Sequence, residues 1–310
     1  MRFRFVLSVL AAAALLGSVA FAQGEPRFSD VRAHFHTSIG LPSASPGPLP
    51  EPPPRLFHIV RYPSPVGALG AYLTPEPADG HKHPAIIWLT GGESNTVGDV
   101  WSRAPRSNDQ SAAAYRNAGI VMMFPSLRGG NDNPGKIEWF CGEIDDILAA
   151  RDYLAQQPYV DANRIYLGGH STGGTLALLT AEASGERFRA VFAFGPVAAA
   201  QQYGTDLIPI DFASLPEWER GFRAPVAWLS SIRTKTFAIE ATNGNIQALR
   251  FMRTHNQNAN ITFLEVPGAD HFSDLAPSNE VIARKIVADT GAQTNITLSQ
   301  DELVRALQAH

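Results

Sequence analysis

Along the chain, short runs of apolar residues alternate with longer stretches in which apolar and polar positions mix at helical spacing. The runs "PAIIWLT", "GIVMMFP", "RIYLG", "AVFAFG", "KTFAIEA" and "ITFLEV" each end in a turn signal, and most are followed by a helix-like segment. Continuous apolar runs of this length suit strands buried on both faces. Their alternation with helices predicts a mostly parallel sheet covered on both sides. Ahead of them, "LFHIVRY" and "ALGAYL" flank Pro63 to Gly67 and predict a short antiparallel hairpin. The pattern thus predicts one α/β domain over residues 55–310. It is a doubly wound sheet of about eight strands that opens with an antiparallel pair.

The chain before residue 55 reads differently. "MRFRFVLSVLAAAALLGSVAFA" has two arginines, an apolar run and Ala20-Phe21-Ala22 before Gln23, the pattern of a secretory signal over residues 1–22. An exported protein, periplasmic or secreted, without a membrane span after cleavage is the expectation. Residues 23–54 read as a tail and spacer, because Pro42 to Pro54 hold seven prolines in thirteen residues. His34 and His36 within it lack the further ligands a metal site needs. The formal charge of −4 becomes about −6 if Arg2 and Arg4 leave with the signal, which gives no sign of a nucleic-acid partner. Cys141 is the only cysteine, so no intramolecular disulfide can form. No metal or organic cofactor is implied, and the sequence is silent on oligomeric state.

In a sheet of this kind, ligands sit at the carboxyl ends of the strands. There the chain reads Gly169-His170-Ser171-Thr172-Gly173, a G-x-S-x-G pattern between a strand and a helix. Such a serine sits on a sharp turn with its hydroxyl above the sheet, and the flanking Gly169 and Gly173 leave room for the backbone. The pattern alone arises by chance; its place between strand and helix gives it weight. A serine needs a base, and His271 follows the last strand in "EVPGADHFSD". His170 is expected only to support the turn.

The acid is less well marked. It should follow "KTFAIEA", yet the turn Thr242-Asn243-Gly244-Asn245 has no aspartate. Glu240 is the first choice, followed by Asp206 or Asp211 and then by Asn243 as a neutral stand-in. Asp270 and Asp274 would need unusual geometry. Backbone N–H groups of Thr172 and Gly92 are the expected oxyanion donors, the latter from the Gly91-Gly92-Glu93 loop. The segment from Ser94 to Asp109, with Trp101 in its middle, is long enough to wall a pocket.

The stretches "YPSPVGALGAYLTP", "PAIIWLTGG", "FPSLRGGNDNPG", "VDANRIYLGGHSTGGTLAL" and "VPGADHF" resemble the catalytic domain of the prolyl oligopeptidase family, in the α/β-hydrolase superfamily. The resemblance runs from about Arg55 to Ala288. It implies an α/β-hydrolase fold and a Ser, Asp, His triad, which maps onto Ser171 and His271 and finds no matching aspartate. Family peptidases usually carry a large β-propeller before this domain, and little chain precedes Arg55 here. Thr90 also stands where the lipase-like subgroup has histidine. The expectation is therefore a serine hydrolase that cleaves a small carboxylic ester or amide through an acyl-enzyme on Ser171. A peptidase acting on short peptides and an inactive binding protein of the same fold are the alternatives. An acyltransferase would share the same acyl-enzyme.

Overall fold

The computed structural model describes residues 26–43 and 45–309. The signal segment expected over residues 1–22 lies outside them. Eight strands form one sheet: β1 (His58–Ser64), β2 (Gly67–Leu73), β3 (His83–Leu89), β4 (Val121–Pro125), β5 (Val160–His170), β6 (Val191–Phe194), β7 (Thr236–Asn243) and β8 (Ile261–Asp270). Their spatial order is β1-β2-β4-β3-β5-β6-β7-β8. The β1–β2 and β2–β4 pairings are antiparallel, and the remaining pairings are parallel. Every apolar run singled out in the sequence has become a strand of this sheet.

Alternation along each strand divides its residues between two cores. Ala85, Ile87 and Leu89 of β3 pack against α3 (Glu143–Ala155) and α4 (Thr172–Ser184), while Ile86 and Trp88 face α2 (Ala113–Asn117), α7 (Leu275–Ala288) and α8 (Gln300–Gln308). Tyr166 of β5 and Phe192 and Phe194 of β6 join that second core, with Phe192 stacked on Phe237 at 5.6 Å. Burial on both faces is why these strands read as continuous apolar runs instead of alternating ones.

Of residues 23–54, expected to be a tail and spacer, the described ones from Arg27 onward are instead packed against the body at several points. A short helix α1 (Phe28–Arg32) places the fully buried Phe28 within about 5 Å of Phe222 and Trp228, and Phe35 stacks on Phe222. Leu41 exchanges two backbone hydrogen bonds with Ile137, and the Tyr72 hydroxyl donates to the carbonyl of Pro50. Prolines exclude helix and ladder, but they do not prevent an extended segment from lying in a groove. Phe28 and Phe35 anchor the start of the segment against Phe222 and Trp228, and buried Leu49 anchors the proline stretch in the second core.

The parallel registers align the site. Leu89 pairs with Gly169, His170 with Phe194, and Phe194 with Ile239. The carboxyl ends of β3, β5, β6 and β7 therefore lie side by side, and the turns that leave them face one crevice. No helix among the described residues is long and apolar enough to cross a membrane.

Candidate active site

At the end of β5 the chain turns directly into α4, and Ser171 holds φ +57° and ψ −117°. A side chain in that region costs of order 1–3 kcal/mol and persists only where its surroundings enforce it. Here the enforcement is visible. Ser171 donates its N–H to the carbonyl of Phe194 at 2.8 Å, and its own carbonyl accepts from Thr175. A Cβ on Gly169 would meet the Gly173 carbonyl at 2.4 Å, and one on Gly173 would meet the Leu89 carbonyl at the same distance. Only glycine lets the three backbones close on one another.

His271 lies just past β8, in a turn shaped by Asp270, whose carboxylate accepts from the N–H groups of Phe272 and Ser273. Its Nδ1 is 3.0 Å from Oε2 of Glu240. The other oxygen of Glu240 accepts from the Ala241 N–H at 2.8 Å, and the side chain is 1% exposed. β7 continues to Asn243, past a register shift after Ala241, so Glu240 sits inside the strand and not in the turn after it. The longer glutamate side chain spans that offset. Gly195, after β6, faces the pair: a Cβ there would stand 2.4 Å from Cε1 of His271 and 3.0 Å from Glu240 Oε2.

The other acid candidates lie elsewhere. Asp206 and Asp211 are exposed, and Asp211 accepts from the Ala213 N–H in a local turn. Asn243 is exposed as well. Asp274, at the head of α7, is buried, and burial followed by the nearby negative charge of Glu240 pushes its carboxyl well above the usual range. A group held neutral in this way does not serve as the carboxylate partner of an imidazolium.

The two oxyanion candidates meet across the elbow. The Thr172 hydroxyl donates to the Gly92 carbonyl at 2.7 Å, which fixes the loop after β3 to the first turn of α4. The N–H groups of that turn have no acceptor inside the helix. Gly92 holds φ +80°, a conformation that suits glycine. The Gly91 N–H is taken by Oε1 of Gln110.

The loop 94–112 is tied in at both ends. Asn95 donates to the Arg128 carbonyl and to Glu143, and accepts at its own carbonyl from Leu127 and Ser126. Arg128, within the stretch "FPSLRGGNDNPG", bonds Asp146 and Glu138 as a brace beneath this loop. Glu143 accepts from the N–H groups of Glu138, Trp139 and Cys141, and so holds Trp139 and Phe140 at positive φ. Trp101 packs edge-on against Tyr72. The pattern gave no signal for Asn95, Gln110 or Gly195, because each acts through partners distant in sequence, nor for Glu143, whose carboxylate serves backbone N–H groups that no residue pattern marks.

Among the described residues no group of three or more His, Cys, Asp or Glu side chains is placed to hold a metal ion. His170 is buried, and burial together with the neighbouring His271 lowers its pKa to about 3. It is therefore uncharged at neutral pH.

Comparison with known proteins bears on the fold and on the middle of the chain. The sequence profile of the prolyl oligopeptidase family (peptidase S9) matches residues 106–234, a span that contains Ser171 and stops before Glu240 and His271. The chain is 29% identical over 126 residues to the uncharacterized peptidase YtmA of Bacillus subtilis (strain 168), covering 41% of this chain and 46% of that protein. It is 31% identical over 140 residues to dipeptidyl-peptidase 5 of Porphyromonas gingivalis, covering 43% of this chain and 20% of that one. The chain thus matches less than half the length of these relatives. Among solved structures, the esterase of Pyrobaculum calidifontis superposes with a TM-score of 0.55 at 17% identity, over 78% of this chain and 87% of that one. The chain has the α/β-hydrolase fold, and its residues 106–234 match the prolyl oligopeptidase family.

Proposed function

We propose that the protein is a serine hydrolase that cleaves a carboxylic ester or amide through an acyl-enzyme on Ser171. The observation that carries the reading is the 3.0 Å contact between His271 Nδ1 and Glu240 at the mouth of a strained serine elbow. In this mechanism His271 takes the Ser171 proton as the hydroxyl attacks the acyl carbon, and returns it to the leaving group. Glu240 fixes the tautomer that leaves Nε2 free to accept, and it stabilises the imidazolium. The N–H groups of Thr172 and Gly92 receive the developing oxyanion. Water then attacks the acyl-enzyme by the same route in reverse.

Peptide amides are a second reading, supported by the S9 match and by two relatives named as peptidases. Esters are supported by the esterase likeness in fold. A fluorophosphonate probe on purified protein, followed by mass spectrometry, tests the common step. The label is expected on Ser171, absent in Ser171→Ala, and slowed by orders of magnitude in Glu240→Gln. An unlabelled parent would overturn the hydrolase reading and favour a binding protein. Rates on short-chain p-nitrophenyl esters against aminoacyl and prolyl p-nitroanilides then separate esterase from peptidase. We further propose that residues 1–22 direct export; a mature N-terminus at Gln23, read by sequencing the protein from cells, is the expected result.

A further inference from the structure

Gln110 has a hydrogen bond for almost every polar atom it carries. Its carbonyl accepts from Nε1 of Trp88 at 3.1 Å, which fixes the backbone from which the side chain departs. Its Oε1 accepts from the Gly91 N–H at 3.2 Å. Its Nε2 lies 3.1 Å from Oδ1 of Asn108 and 2.7 Å from Nδ1 of His170. The Gly91 N–H can only donate, so the amide oxygen must face it and the amide nitrogen must face His170. His170 Nδ1 is then an acceptor. Its Nε2 carries the proton and donates it to the carbonyl of His271, 2.7 Å away.

The result is one directed chain of hydrogen bonds, from Gly91 N–H to Gln110, from Gln110 to His170, and from His170 to the His271 carbonyl. It links the loop after β3, the residue beside the nucleophile and the backbone of the base. We infer that Gln110 and His170 are positioning residues, which hold the oxyanion loop and the base at a fixed spacing across Ser171. The inference rests on the hydrolase reading above and adds to it two residues that do not touch the reacting atoms.

Three further features agree. The ring of His170 lies 4.5 Å from that of His271, so any tilt of one is felt by the other. A Cβ on Gly91 would stand 3.1 Å from both His170 Nδ1 and the Ser171 Cβ, which leaves the loop no slack. Because Gln110 occupies the Gly91 N–H, that group is not free for the oxyanion, in keeping with Gly92 as the donor from this loop. Gln110 also belongs to the long segment after β3, so the segment's tie to the site is a hydrogen-bonded one and not a wall of apolar contacts.

The test compares His170→Leu, Gln110→Leu, Gln110→Glu and His170→Gln with the parent in ester hydrolysis and in fluorophosphonate labelling of Ser171. A misplaced base or oxyanion donor costs about a hundredfold in rate. Both leucine variants are expected to lose about that in kcat with KM little changed, and to slow labelling in parallel. The amide nitrogen in His170→Gln reaches near the place of Nε2 and restores the donation to His271, so this variant should recover at least about tenfold over His170→Leu. Gln110→Glu keeps the size but cannot donate to His170, and should behave like Gln110→Leu. If a His170 variant fails to fold, the half-exposed Gln110 pair still decides the question.

A lower melting temperature with kcat unchanged in the Gln110 variants would make the chain of bonds merely structural and overturn the inference. So would a His170→Gln variant no better than His170→Leu. Nitrogen-15 NMR of the parent gives a readout independent of activity: the Nε2–H tautomer of His170 is expected, and an Nδ1–H tautomer would overturn the geometry. A parent that takes no label overturns the hydrolase reading itself, a result distinct from normal labelling in parent and variants alike.

Discussion

The two ends of this sheet are built from the same strands and do opposite things. At the amino ends of β5 to β8 lies a cleft of about 800 Å³ lined by Arg164, Arg187, Arg189, Arg233 and Lys235. Beside it, Asp289 accepts from Arg189 through both carboxylate oxygens and from Tyr166, Thr294 and the N–H of Asn295. Every donor around that carboxylate is spent on the fold. At the carboxyl ends, by contrast, Ser171 is strained, the first-turn N–H groups of α4 lack helix acceptors, and the His271 side chain has its hydrogen bond on Nδ1, which leaves Nε2 for proton transfer. Room alone does not mark a site. Unspent donors, a strained serine and a histidine held by one nitrogen do.

The largest effects should fall at the carboxyl end. Ser171→Ala should abolish turnover, and Glu240→Gln should lower kcat about ten-thousandfold while the melting temperature moves little. A Glu240→Gln enzyme that keeps its rate would remove the contrast between the two buried carboxylates. Gly195→Ala is the next test. Gly195 holds φ +59°, and the added methyl collides with the His271 ring, so a loss of about a hundredfold in kcat is expected from steady-state kinetics.

At the amino end the same kind of change should act on stability alone. Asp289→Ala strips the partner from Arg189 and leaves the Tyr166 hydroxyl unmet, which should cost about 3 kcal/mol in chemical denaturation. The rate per folded molecule should not change. A fall in kcat would show that the two ends communicate.

The ends should also part company with pH. Burial raises the Asp289 carboxyl, but Arg189 and the other donors outweigh it and hold its pKa well below the usual range. A depressed carboxylate contributes stability that is complete above the unfolded value of about 4 and is lost as pH falls toward the folded one. His170, held to about 3 in the folded protein, gains its proton near pH 6.5 when unfolded. The unfolded chain then binds more protons between those values, so stability falls by roughly 1.4 kcal/mol for each pH unit below 6.5. Denaturation of the parent between pH 7 and 4.5 should show this slope, and His170→Gln should lack it. Asp289→Ala should keep it, because that carboxylate titrates only at lower pH.

Much of this was legible beforehand. Short apolar runs marked all eight strands because burial on both faces leaves a one-dimensional trace, and the glycines around Ser171 marked a place where backbones touch. His271 followed from chain order. Glu240 was the preferred acid, yet Asp206, Asp211 and Asn243 stayed open, since nothing local states how far a side chain reaches across a register shift. The segment ahead of Arg55 was expected to be a tail, because prolines announce the lack of helix and ladder and say nothing of Phe28 and Phe35 packing on Phe222 and Trp228 or of Leu49 entering the core. Gln110 had no local signal at all.

By itself, then, the sequence determined the strands, the serine turn and the position of His271 after the last strand. Each of these depends on a residue and its near neighbours, through the two-residue strand period and glycine's missing side chain. Only the tertiary structure decided which carboxylate meets His271, what Gln110 and His170 hold, and where the N-terminal segment lies. Those are contacts between residues tens to hundreds of positions apart, and their geometry exists only once the strands have taken their order and register.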